Sequence, residues 1–297
     1  MIDSAPVRVG FVTQLLFERY GAFWRGLVTG AGASVVLPTR AGVVAPVDDV
    51  DTDQAQGLWF RLAAVQASSL ADCDLIVVPE LNPETEDVRG SAQDRWVADL
   101  TGALQDAVAG LPPLVTVAAY PDAGIESRAV ALLHALLHDA AAVTRVWARH
   151  RAEAAKLARA AGHRTEGATT GPAALPPHAL VGQPWAVTRA VTRAATAAGL
   201  TGLSQRALDT QRSREEGWSF DERLIPTAAE VIGAARVLGR RAGVAGLRFL
   251  LDEEAGSDAW LFRRVKQAVH KPVEPLPWRD VVASDDGLSV FLSVPVD

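Results

Sequence analysis

Cysteine is almost absent from this chain: Cys73 is the single thiol in 297 residues. One cysteine forms no internal disulfide and offers no multi-cysteine metal site. Its place at the head of the apolar run "CDLIVVPEL" marks it as a small core residue. Lysine is nearly as scarce, with Lys156, Lys266 and Lys271 standing against many arginines and alanines, a bias we attribute to GC-rich bacterial coding. Long apolar runs are missing too, since none reaches the roughly 18 residues of a membrane-crossing helix. The nearest, "AVALLHALLHDAAAV", is interrupted by His134, His138 and Asp139. The opening "MIDSAPVRVGFV" has an early Asp3 and no sustained apolar stretch, so it does not read as a signal peptide. A cytoplasmic location with no membrane partner is the expectation. An excess of positive charge is also lacking. The net charge is −6, the pI is near 5.6, and the arginines are dispersed among acids, which leaves no electrostatic case for nucleic acid. No Lys-Ser/Thr phosphate loop occurs, and "GWSFD" around Ser219 lacks the preceding strand that a serine elbow requires.

What is present is a globular composition, 49% hydrophobic and 22% charged, in a length that fits two domains of ordinary size. Apolar runs alternate with helical patterns: "VRVGFV", a helix over about 15–29, "ASVVLP", a helix over 55–69, "CDLIVVPEL", a helix over 92–109, "PLVTVAAYP". From 127 to 162 the pattern is helical almost without a breaker, and "HRTEGATTGPAALPPH" then reads as a linker. The alternation restarts with "HALVGQPW", a helix over 187–198, "LTGLS", a helix over 227–242, "GLRFLLD", a helix over 258–269 and "LSVFLSVPV". Near-continuous apolar strands separated by helices imply parallel sheets covered on both faces. The expected fold is α/β, with Rossmann-like doubly wound domains over 1–126 and 178–297 joined by a helical segment over 127–177.

Phe17, Tyr20, Phe23, Trp24 and Leu27 recur at helical spacing and form one stripe, which predicts packing on the first sheet. "GAGASV" follows a helix and precedes a strand, the reverse of a phosphate-cradling loop, so helix capping is its expected role; "GVAGL" at Gly243 has the same order. His134 and His138 lie four apart on a predicted helix, but without a third ligand they do not predict a metal site. Ligands of doubly wound sheets lie beyond the carboxyl ends of the strands. Those positions here supply Thr13, Gln14, Arg40, Gln183 and Trp185 as candidate ligand-binding residues, and Gln14, Arg40, Glu80, Gln183 and Trp185 are expected around one concavity. Arg40 suits a phosphate or carboxylate through its planar fork, and Trp185 suits a flat ring. Glu80, Asp122 and Glu253 are candidate acids or bases at the same ends.

With those residues in hand, the chain resembles a known family. "VGFVTQLLFERYGAFWRGLVTGAGASVVLPT" is similar to the opening of the 2-hydroxyacyl-CoA dehydratase and activase-related proteins, relatives of benzoyl-CoA reductase subunits. "LVGQPWAVTRAV" resembles the family's Gly-His-Pro-Tyr segment, "DLIVVPEL" its Asp-Tyr-Ile-Phe-Leu-Pro, and "AAEVIGAARVLGRRAGVAGLRFLL" the helix and strand that follow. The resemblance implies two facing Rossmann-like domains. It also implies an iron–sulfur cluster on three cysteines, used for radical dehydration of an acyl-CoA after an ATP-driven activator delivers an electron. Those cysteines are expected near Gly57, near Leu111 to Pro113 and near Ala255, where this sequence has none, and family histidines fall on Ala64, Gln66 and Gln183. A cluster needs thiolates. The expectation is therefore a cluster-free relative with no cofactor, a noncatalytic subunit that binds an acyl-CoA or nucleotide or pairs with a related subunit. Two alternatives stand beside it: an enzyme using acid–base chemistry in the inter-domain cleft, and a structural or assembly protein that forms homo-oligomers through exposed apolar helices.

Overall fold

The computed structural model of the protein describes residues 5–39, 57–81, 94–119, 124–160 and 177–281. Strand β1 (Arg8–Phe11) leads to α1 (Phe17–Gly30), β2 (Ser34–Val36), α2 (Gly57–Ser69) and β3 (Leu75–Glu80), then α3 (Arg95–Ala98), α4 (Leu100–Ala107) and β4 (Leu114–Ala118). Two helices follow, α5 (Ile125–Leu136) and α6 (Ala140–Ala160). The second half runs β5 (His178–Gly182), α7 (Arg189–Ala197), β6 (Leu203–Ser204), a short 3-10 turn, α8 (Thr210–Trp218), α9 (Pro226–Gly239), β7 (Gly246–Leu251), α10 (Gly256–Ala268), β8 (Val273–Pro277) and α11 (Trp278–Val281). The two four-stranded sheets have orders β2-β1-β3-β4 and β6-β5-β7-β8, and every pairing is parallel. The second half thus repeats the first. In each sheet the order reverses beside the first strand, at β1/β3 and at β5/β7, which fits a doubly wound α/β fold.

The aromatic stripe of α1 is core. Phe17, Tyr20, Phe23, Trp24 and Leu27 are all buried, Trp24 Nε1 donates to the Ala118 carbonyl at 3.1 Å, and Tyr20 OH donates to the Val12 carbonyl at 3.3 Å. The "GAGASV" junction caps α1. Gly32 has φ 83°, a left-handed value that a side chain resists. It lets Gly32 N–H reach Thr29 O and Ala33 N–H reach Val28 O, the paired closure of a Schellman turn. Gly243 is different, because its φ is not left-handed; α9 ends four residues earlier at Gly239.

Alternate residues of the second sheet serve different cores, as pleating requires. Leu180 and Leu250 join the large cluster around Trp24, Trp59 and Phe60, while Val181 and Phe249 face Ile232 and Leu261 in a second cluster. The first half's core therefore continues onto one face of the second sheet.

Several element boundaries differ from expectation. The helical pattern over 127–162 is two helices. Leu137 is extended, with φ −122° and ψ 125°, and the Asp139 carboxylate accepts from Ala141 N at 2.9 Å and Ala142 N at 3.2 Å, so a side-chain cap starts a new helix. His134 lies in α5 and His138 in the turn beyond it, so the two do not share one helix face. The pattern over 92–109 is divided at Asp99, whose side chain accepts from Gly102 N at 2.9 Å and caps α4. Helix α8 and strand β8 were not anticipated, and the strand expected in "LSVFLSVPV" lies outside the described residues.

Candidate functional site

The chain leaves β1 through Thr13 and Gln14, both fully buried. Their N–H groups donate to one acceptor, Gln66 Oε1 of α2, at 2.8 and 2.9 Å. Thr13 Oγ1 lies 3.3 Å from the same oxygen. Leu15 and Leu16 then take φ values of 61° and 77°, a left-handed pair of non-glycine residues that costs on the order of 1–3 kcal/mol each. The surrounding core holds them there, for Leu15 is 1% and Leu16 is 6% exposed. Gln66 Nε2 is buried with no partner among the described residues.

At the second switch point the buried polar partner is a carboxyl. Asp258, in the first turn of α10, accepts from Asp252 N at 2.9 Å just beyond β7. Burial pushes the Asp258 carboxyl up to about 8; the charges of Asp252 and Asp94 add to the rise, and the Asp252 N–H and the Gln183 side chain oppose it. Burial thus favours the protonated, neutral form of this acid. Its Oδ1 has no partner among the described residues.

The two switch points meet across a polar seam. Asp252 Oδ2 accepts from Leu58 N, at the start of α2, at 2.6 Å. In the opposite direction, Asp94 of the first half accepts from Ser257 N at 3.3 Å and from Ser257 Oγ, at the start of α10. Each half therefore supplies a carboxylate that satisfies free N–H groups of a helix in the other. Burial raises the pKa of both acids, opposed at Asp252 by the Leu58 and Glu254 N–H groups and at Asp94 by Ser257. Gly57 is required beside this contact, since its φ is 79° and a Cβ there would lie 2.6 Å from Asp252 Oδ2. Ion pairs flank the seam: Arg19 grips Glu230 at 2.9 and 2.7 Å, Arg206 meets Glu18 at 2.9 Å, and Arg61 meets Glu254 at 2.7 Å. An aromatic contact completes it, with the rings of Trp96 and Trp185 edge to face at 5.5 Å. Beside Trp185 a cavity of about 20 Å³ is lined by Val97 of the first half and by Gln183, Trp185, Thr227, Ser257 and Trp260 of the second, among others. That space holds about one water.

The chain matches no protein-family model, and no curated protein matches it.

The candidate residues separate by position. Gln183 and Trp185 line the same cavity, and Thr13 and Gln14 share Gln66 as acceptor, giving one pair at each switch point. Arg40 and Asp122 lie outside the described residues. Glu80 ends β3 and pairs with Arg128 of α5, one contact being 3.2 Å to Nε. Glu253 is exposed and 3.6 Å from Arg279. Three residues of the seam were not singled out for chemistry from the sequence: Gln66, Asp94 and Asp258. Gln66 stands where the resembling family has a histidine and carries no other local signal, and an acid in a first helical turn, as Asp258 is, ordinarily reads as a solvated cap. Among the described residues no three His, Cys, Asp or Glu side chains are grouped to hold a metal ion, and no helix is long and apolar enough to cross a membrane.

Proposed function

We propose that this chain is a noncatalytic ligand-binding protein, a divergent relative of 2-hydroxyacyl-CoA dehydratase subunits, that takes an acyl-CoA thioester or a nucleotide between its halves. One observation carries the reading: three of the buried polar atoms left unpaired around the switch points are hydrogen-bond donors. Gln66 Nε2, Trp96 Nε1 and Trp185 Nε1 have no partner among the described residues, and all three are N–H groups. Unpaired buried polar groups are costly, and donors of this kind suit a ligand rich in acceptor oxygen, such as a thioester carbonyl or a phosphate. A ligand larger than one water enters the 20 Å³ cavity only when its lining rearranges, since the halves share one continuous apolar core and a hydrophobic contact of that kind resists parting.

The residues do not fit an iron–sulfur cluster. Gly57 and Ala255, two of the positions where the resemblance places cysteines, are neighbours, since a Cβ on Gly57 would lie 3.2 Å from Ala255 Cβ. The Asp252 carboxylate stands beside them, already hydrogen-bonded to Leu58 N. Leu111 to Pro113, the third position, precede β4 and so lie at the opposite end of a parallel sheet. No thiolate is supplied at any of the three, and no step is assigned to a cluster.

Acid–base catalysis is the second reading, and the neutral Asp258 beside Asp252 is the observation that favours it, because a carboxylic acid kept protonated near pH 7 can serve as a donor to a reacting oxygen. Thermal melting across a panel of acyl-CoA thioesters and nucleotides tests the first reading: a saturable rise in melting temperature that is lost in Gln66→Leu is expected, and no rise with any member rejects it. Turnover of a stabilising ligand, abolished in Asp258→Asn, would transfer the assignment to the second.

A further inference from the structure

On the second half, away from the seam, a pocket of about 380 Å³ opens between the start of α8 and the end of α9. Leu208 and Val237 give it an apolar floor, and Arg212, Arg240 and Arg241 line it. The arginines are not equivalent. Arg240 is held by Glu216, at 2.9 Å between Nη2 and Oε2, and Arg236 grips the same carboxylate at 2.6 Å. Neither the Arg212 nor the Arg241 side chain has a carboxylate partner among the described residues, although both are exposed. Asp209 is the acid in the lining, and its Oδ1 is engaged in capping α8 through Arg212 N at 2.7 Å. In a chain of net charge −6, this leaves two unpaired guanidinium groups and a third neutralised one around a single concavity of small-ligand size.

We propose that this pocket binds a phosphorylated small molecule, with the phosphate held by Arg212 and Arg241 and an apolar body against Leu208 and Val237. Guanidinium groups present paired donors that match phosphate oxygens. An apolar floor beneath them selects a phosphate ester over the free ion. The site is independent of the reading given above for the seam.

The test is calorimetric titration of the full chain with phenyl phosphate, with inorganic phosphate and phenol as separate arms. Phenyl phosphate is expected to bind with one saturable site and more tightly than either fragment. Arg212→Ala and Arg241→Ala, both surface changes, are each expected to weaken it by about tenfold or more, as loss of a charge-assisted contact does, and added salt is expected to weaken it further. Unchanged melting temperatures in both variants separate lost binding from lost folding. Equal affinity in the double variant, or no binding of phenyl phosphate at millimolar concentration, overturns the proposal. Equal affinity for phenyl phosphate and inorganic phosphate overturns the role of the apolar floor.

Discussion

The Asp252 carboxylate accepts a hydrogen bond from the Leu58 N–H at 2.6 Å across 194 residues of sequence. The donor opens the second helix of one half and the acceptor closes the third strand of the other. Asp94 and Ser257 repeat the relationship in reverse, so the start of one helix in each half is capped by the opposite half.

Removing one of these caps should loosen the seam without unfolding either sheet. Asp252→Ala is expected to cost about 1–2 kcal/mol, the usual loss for an N-terminal cap, and to raise amide exchange at the starts of both α2 and α10. Denaturant unfolding with hydrogen-exchange mapping checks this. Faster exchange at α2 alone would mean that the two caps act independently.

Stability should fall as pH rises, through Asp258. Its carboxyl ionises near pH 4 in the unfolded chain and at about 8 in the folded protein. Between those values the folded state keeps a proton that the unfolded state releases. The stabilisation is therefore complete below about pH 4 and is lost progressively as pH rises through 8, by on the order of 5 kcal/mol at most. Asp252 and Asp94 are raised in the same direction. Asp258→Asn keeps an oxygen to accept from Asp252 N and should flatten the dependence. Unfolding midpoints at pH 5 and pH 8 decide it, and an unchanged slope in the variant would count against a buried neutral acid.

Glu230 is 4% exposed and anchors Arg19 from the other half, with Arg214 Nε 4.0 Å away. Glu230→Ala removes the buried acid of that pair, taking its carboxylate from Arg19 and from the buried Arg214, and is expected to cost about 3–5 kcal/mol, whereas apolar replacement of both partners costs far less. Equal losses in Glu230→Ala and in the double variant Arg19→Met/Glu230→Leu would show that packing, not charge, sets the penalty.

Phe23→Ala in the α1 stripe removes a ring that is 2% exposed and stacked edge to face on Trp24 at 5.0 Å. A loss of about 3–5 kcal/mol is expected from lost transfer energy plus the cavity left behind. A thermal melt superimposable on that of the parent protein would show that the site had collapsed around the change.

Gly233 lies where α9 crosses α8 so closely that a Cβ would overlap the Ser213 carbonyl, and at Gly217 it would overlap the Ala229 carbonyl. Backbone does not yield as a flexible side chain does, so Gly233→Ala should destabilise the second half by more than the roughly 1–3 kcal/mol typical of overpacking. Circular dichroism and a melt report it, and a variant as stable as the parent would show that the helices can separate.

Local chemistry along the chain determined much of this molecule. Alternating apolar strands and helical patterns specified parallel sheets and the repeated module, and the spacing of Phe17, Tyr20, Phe23 and Trp24 specified which face of α1 is buried, because periodicity and burial act over a few residues. The glycines after α1 announced a cap for the same reason. Gln183 and Trp185, two residues apart beyond one strand, line one cavity. Tertiary structure alone decided the rest. Asp99 and Asp139 broke apparent continuous helices, since whether an Asp interrupts or decorates a helix depends on which backbone N–H groups it meets. The pairs Asp252 with Leu58 and Asp94 with Ser257 join residues far apart in sequence, and no local pattern encodes such a distance. Asp258 reads as an ordinary first-turn acid and becomes a neutral one only because folding strips its water away, a free energy that belongs to the surrounding core and not to the residue.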